Sequence, residues 1–160
     1  MKHSVLLDTS FFVRLLNDED PLHLNARNYF KYFLEQEILL KISTVTIAEY
    51  CVIGEIGDLP LKKLHIIPFN IDHAKRAAEF AKCIFEEKKI SKEQLMPRAI
   101  IPNDAKLFAQ TDLDKTCSHF VTSDKRSGQV INLLRGKVSA RFSFLDISTP
   151  YNQAFGILDL

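Results

Sequence analysis

Short apolar runs alternate along this chain with longer stretches whose apolar residues recur at helical spacing, and that alternation limits the fold more than any other feature. Val5, Leu6 and Leu7 form a run with no polar residue for a wet face, which is the pattern of a strand buried on both sides. Further strands are predicted over 38–42, 64–69 (LHIIPF), 119–123 (HFVTS) and 141–147 (RFSFLDI), after a first strand at 3–8. Between them, helices are predicted over 10–17, 21–35, 45–56, 70–89, 104–112 and 124–135. Pro97 and Pro102 interrupt 91–101, which reads as a short helix with a loop. Strands separated by helices imply an α/β domain, a central and mainly parallel twisted sheet covered on both faces by right-handed crossovers.

At 160 residues and 46% hydrophobic, the chain suits one domain with a real core. Charged residues are 26% and the net charge is only +1, so an anionic partner would need local charge or a metal. The first residues do not form a signal peptide, and no run is long enough to cross a bilayer. Cys51, Cys83 and Cys117 are odd in number and far apart, as expected for reduced, mostly buried thiols of a cytoplasmic protein. The five histidines lack the spacing of a zinc site.

In a parallel sheet the functional crevice lies beyond the carboxyl ends of the strands, where the strand order switches. Asp8 ends the first strand in LLDTS and Asp124 follows a later one in FVTSD, which puts both on that edge. Glu49 in STVTIAEY and Asp104 in NDAKLFAQ start or occupy helices. Each acid also has a plainer reading as a helix cap or first-turn acid, and Thr46 with Glu49 fits a capping box. In the helix of Glu49, Ile47, Cys51 and Val52 are expected on the core side. Four carboxylates at one crevice repel one another unless protons or a cation neutralise them. Oxygen ligands without Cys or His select Mg2+ or Mn2+. Asp72, Asp112 and Asp114 read as solvated helix acids.

The order of LLDTS, TIAEY, NDAKLFAQ and HFVTSD resembles that of the PIN-domain nucleases, a family that includes the VapC-like ribonuclease toxins of toxin–antitoxin pairs. The likeness spans about residues 2–147 and implies a three-layer α/β/α PIN-like domain over 1–150, followed by a tail at 151–160. It implies that Asp8, Glu49, Asp104 and Asp124 are catalytic carboxylates holding Mg2+ or Mn2+, and that Ser123 orients a water or ligand at the metal. Thr9 and Ser10 match the small polar positions after the first acid, and Lys125 and Arg126 are candidates to hold substrate phosphates. The implied activity is metal-dependent endoribonucleolytic cleavage of RNA, with an antitoxin protein as partner. The implied assembly is a homodimer built partly on Phe11 and Phe12 of the early helices.

The chain departs from the family after the fourth acid, where Lys125, Arg126 and Ser127 stand instead of a further acid and an aromatic. Two other functions fit the same pattern: a catalytically silent PIN-fold module that binds RNA or protein, and phosphotransfer on Asp8. The second would call for an acid at position 10, which is Ser10.

Overall fold

The computed structural model describes residues 3–95 and 101–158. Strands β1 (Ser4–Leu7), β2 (Leu39–Ser43), β3 (His65–Ile67), β4 (Cys117–Thr122) and β5 (Ser143–Asp146) form one sheet in the order β3-β2-β1-β4-β5. Every pairing is parallel. β1 is central, and all four of its residues are buried, as its unbroken apolar run requires. The chain runs outward from β1 to β3, then crosses back to begin again at β4. The switch in strand order therefore falls between β1 and β4, at the carboxyl ends where Asp8 and Asp124 stand.

Alternation along the strands feeds two separate cores. Val5, Leu7, Leu40, Ile42 and Val121 face a layer built from α1 (Thr9–Leu15), α2 (His23–Glu35) and α3 (Thr44–Tyr50). Leu6, Cys117 and Phe120 face the opposite layer, where α4 (Ile71–Glu87), α6 (Asn103–Leu113) and α7 (Lys125–Val138) pack. A short helix, α5 (Lys92–Leu95), precedes α6; residues 96–100, including Pro97, lie outside the described residues. The architecture is the expected three-layer α/β/α PIN-like fold, with strand and helix ends shifted by a few residues.

One boundary moved further. The helix expected over 45–56 ends at Tyr50, and the chain folds back so closely that a Cβ at Gly54 would meet the Tyr50 ring at 2.7 Å. Only glycine fits that approach. Cys51 and Val52, expected on the core side, are exposed as a result, while Thr46 and Tyr50 are buried. Phe11 and Phe12, expected at a dimer face, are fully buried in the first core and offer no surface to a second copy.

Asp112 and Asp114 are ion-paired rather than solvated. Arg76 Nε donates to Asp112 Oδ2 at 2.9 Å while its guanidinium lies over the Phe80 ring. Lys41, buried in β2, pairs with Asp114. Each pair neutralises a charge that the fold takes out of water. Asp72 is exposed, as expected.

The last residues form α8 (Tyr151–Ala154), which docks on α2. Tyr32 stacks on Phe155 with ring centroids 4.8 Å apart, and Tyr151 approaches Tyr32 at 5.1 Å. The hydroxyl of buried Tyr29 donates to the Thr149 carbonyl at 2.6 Å, fixing the turn into α8. Tyr29→Phe keeps the ring packing but leaves that carbonyl without its partner. It should lower the unfolding free energy by about 1 kcal/mol in urea melts, with the denaturant slope unchanged.

Candidate active site

Asp8, Glu49, Asp104 and Asp124, which are far apart in sequence, line one cleft of about 390 Å3 together with Thr9, Ser10, Val13 and Arg14. Strand ends and helix starts place them there. The β1–β4 ladder runs one step past the strand, with Asp8 N–H donating to the Val121 carbonyl at 2.9 Å. Asp8 then caps α1, and Asp124 caps α7 by accepting from the Arg126 N–H at 3.0 Å. The cap reading and the site reading hold together for both residues, because a helix N-terminus stabilises a carboxylate at the cleft edge. Glu49 is not part of a capping box. Ser43 caps α3 instead, accepting from the Val45 N–H, and the Glu49 carboxylate is free to accept from Thr9 Oγ1 at 3.1 Å. Asp104 sits in the first turn of α6 and accepts from Ser127 Oγ at 3.2 Å.

Asp8 is the most firmly held of the four, at 6% exposure. Ser10 Oγ and Thr122 Oγ1 donate to Asp8 Oδ2 at 2.9 and 2.7 Å, and Thr9 N–H donates to Oδ1 at 2.7 Å. With their single protons directed at Asp8, the two hydroxyls accept from backbone instead. Ser123 N–H donates to Ser10 Oγ at 2.9 Å, and Asp124 N–H donates to Thr122 Oγ1 at 3.0 Å. Two amide-to-hydroxyl-to-carboxylate relays thus tie the end of β4 to the end of β1. They leave open capacity on Asp8 Oδ1, the oxygen held by one donor.

The cleft raises the affinity of its acids for protons. Burial pushes the Asp104 carboxyl up to about 6, and the charges of Asp8, Asp124 and Glu49 add to the shift. Burial also raises Asp8 against its three hydrogen bonds, and it raises Glu49 with help from the Asp8 charge. Asp124 differs. Its carboxyl is held below the usual range by hydrogen bonds and charge from Arg126, whose Nε and Nη2 reach Oδ1 and Oδ2 at 3.2 and 3.3 Å.

The donor set facing the cleft is all oxygen, which suits a hard divalent cation. Among the described residues, however, no three His, Cys, Asp or Glu side chains are gathered into a ready-made cage. The hydrogen bonds explain the spread. Glu49 is held by Thr9 and Asn103, Asp104 by Ser127, and Asp124 is turned onto Arg126.

Thr9 and Ser10 line the cleft, where they bond Glu49 and Asp8 rather than standing free. Ser123 is held beside the cleft, its Oγ accepting from Arg14 Nε at 3.4 Å. Lys125 and Arg126 are exposed at the start of α7 and are not part of the cleft wall; Arg126 instead binds Asp124. Four residues that reading the sequence missed complete the site: Arg14, Asn103, Thr122 and Ser127. Arg14 had a signal, since it lies one helical turn from Ser10 on the same face of α1. Thr122 and Ser127 had none, because their partners are set by the β1–β4 register and the packing of α7 near α6.

No family model matches the sequence, and no curated protein matches it significantly. Solved structures do match. VapBC2 from Rickettsia felis, bound to a promoter DNA fragment, aligns at TM-score 0.59 and 17% identity over 89% of this chain and 98% of that one. DNA-bound VapBC from Salmonella typhimurium aligns at 0.56 and 14%, over 92% and 99%. The Mycobacterium tuberculosis toxin VapC20, which cleaves the sarcin–ricin loop, aligns at 0.52 and 19%, over 86% and 98%. The fold is that of the VapC toxins. At these identities the VapC likeness fixes the arrangement of the PIN-like chain, and the chemistry rests on the cleft itself.

Asp104→Asn mimics the protonated acid and removes one charge from the cluster. Asp104 is protonated more readily in the folded chain than in the unfolded one. Its stabilising contribution is therefore complete below about pH 4 and is lost as pH rises through about 6. In chelator, Asp104→Asn should stabilise the protein by about 1–2 kcal/mol at pH 7.5, and the gain should shrink as pH falls through about 6 and vanish below about pH 4. Comparing variant with wild type at each pH cancels the opposite trend of the histidines, His73 and His119, whose pKa values burial lowers.

Proposed function

We propose that this protein is a metal-dependent endoribonuclease acting as the toxin of a toxin–antitoxin pair. The observation that carries the reading is the meeting of Asp8, Glu49, Asp104 and Asp124 in one cleft at the topological switch of a parallel sheet. A cluster in which Asp8, Glu49 and Asp104 are raised and Asp124 is held by an arginine suits a divalent cation better than a neutral ligand. Asp8, Asp104, Asp124 and Glu49 would hold Mg2+ or Mn2+. Bound there, the ion supplies Lewis acidity toward a phosphodiester and charge stabilisation for in-line displacement by water.

The remaining chemistry belongs to the chain. The relays from Ser123 and Asp124 N–H through Ser10 and Thr122 aim Asp8 into the cleft and offset part of the cost of burying its charge. Thr9 orients the Glu49 carboxylate within the same cleft. Arg14 in the cleft wall supplies positive charge for a backbone phosphate, while its Nη1 stays anchored on Asp20. Single-stranded or looped RNA suits an open acidic cleft of this size, because an unpaired backbone can be threaded past the acids. An antitoxin protein is the partner suggested by the VapBC complexes among the similar structures. A homodimer, if formed, uses surfaces other than Phe11 and Phe12.

Mg2+ or Mn2+ at millimolar concentration should raise the melting temperature, since an ion that binds the folded state alone stabilises it. Asp8→Asn should abolish that shift and lower cleavage of a looped RNA by roughly a hundredfold or more. Metal-dependent cleavage by folded Asp8→Asn protein at the wild-type rate would refute the assignment.

A further inference from the structure

The four acids of the cleft are not held in the same way. Asp8, Glu49 and Asp104 accept from neutral groups, namely hydroxyls of Ser10, Thr122, Thr9 and Ser127, the Asn103 side chain and the Thr9 N–H. Asp124 accepts from a cation. Both of its oxygens face the Arg126 guanidinium in a fork, and its Oδ1 also receives the Arg126 N–H. The same carboxylate lines the cleft. A guanidinium and a divalent ion therefore make the same demand on Asp124.

We propose that Arg126 is a tethered counter-cation that competes with the divalent ion for Asp124 and so sets the ion concentration at which the cleft fills. The inference rests on the metal-dependent reading above. Two features make Arg126 a competitor rather than a lock. Its side chain is 85% exposed, so solvent screens the pair and the released guanidinium re-enters water readily. Its attachment two residues from Asp124 keeps it close, so it returns whenever the ion leaves. The cap of α7 does not depend on this side chain, because the capping donor is the Arg126 backbone N–H. Removing the guanidinium therefore changes charge while leaving the helix start intact. Once displaced, Arg126 stands free at the cleft edge, where its charge can meet an anionic substrate.

The test is Mn2+ titration by calorimetry, without RNA, of the wild type and of Arg126→Gln and Lys125→Gln. Lys125 is the control, an exposed cation one residue away that does not line the cleft. Arg126→Gln should tighten Mn2+ binding on the order of threefold, and Lys125→Gln clearly less. In an Asp124→Asn background, Arg126→Gln should add nothing, since the shared carboxylate is gone. Equal effects of the two single variants, or an Arg126→Gln effect that persists undiminished with Asp124→Asn, would overturn the inference. If Mn2+ binding is lost in Asp104→Asn yet indifferent to Arg126, the inference fails and the metal reading stands. If Mn2+ does not bind the wild type at millimolar concentration, both fall.

Discussion

Mutual repulsion among four carboxylates is the constraint around which this structure is arranged. Like charges in a protein environment repel by roughly 4 kcal/mol at about 4 Å and by less when spread apart, so a chain that brings Asp8, Glu49, Asp104 and Asp124 to line one cleft opposes its own folding there. The parallel sheet makes the meeting unavoidable. β1 and β4 are neighbours, both run into the cleft, and each is followed at once by an acid or by Ser-Asp. Buried apolar residues on both sheet faces hold the strands in place and leave the acids no room to separate along the backbone.

The side chains answer the repulsion locally. Hydroxyl groups deliver the polarity of the Ser123 and Asp124 amides, just past β4, to Asp8, which offsets part of the cost of burying its carboxylate. Asp104 takes the opposite course and holds its proton up to about pH 6. Asp124 is neutralised by an arginine from its own helix. Three acids at one sheet edge thus reach three different electrostatic settlements. On the function proposed above, a divalent cation would replace each of these settlements.

How far the sequence revealed this follows from where each piece of information resides. The sheet and the placement of Asp8 and Asp124 were legible, because apolar runs that end in an acid are local patterns. Glu49 and Asp104 became candidates through the order of motifs, and their meeting with Asp8 depends on helix docking that no local pattern encodes. The end of α3 was misread because Val52, Ile53 and Ile56 continue the helical apolar spacing while standing exposed. The decisive signal was Gly54 packing on Tyr50. Asp112 and Asp114 seemed solvated because Arg76 and Lys41 lie 36 and 73 residues away. The aromatic tail had no local signal beyond its rings, and its partners on α2 are more than a hundred residues distant in sequence, as the 120-residue gap between Tyr29 and Thr149 illustrates.

The central claim, that these carboxylates form one cation site, is tested most directly by anomalous diffraction from crystals of the protein grown or soaked with Mn2+. The account predicts a strong Mn2+ peak within coordination distance of Asp8 and Asp104, with the Asp124 carboxylate turned toward it and away from Arg126. Well-ordered density showing the four acids in place with no peak in the cleft at millimolar Mn2+, or Mn2+ bound only elsewhere on the surface, would contradict it.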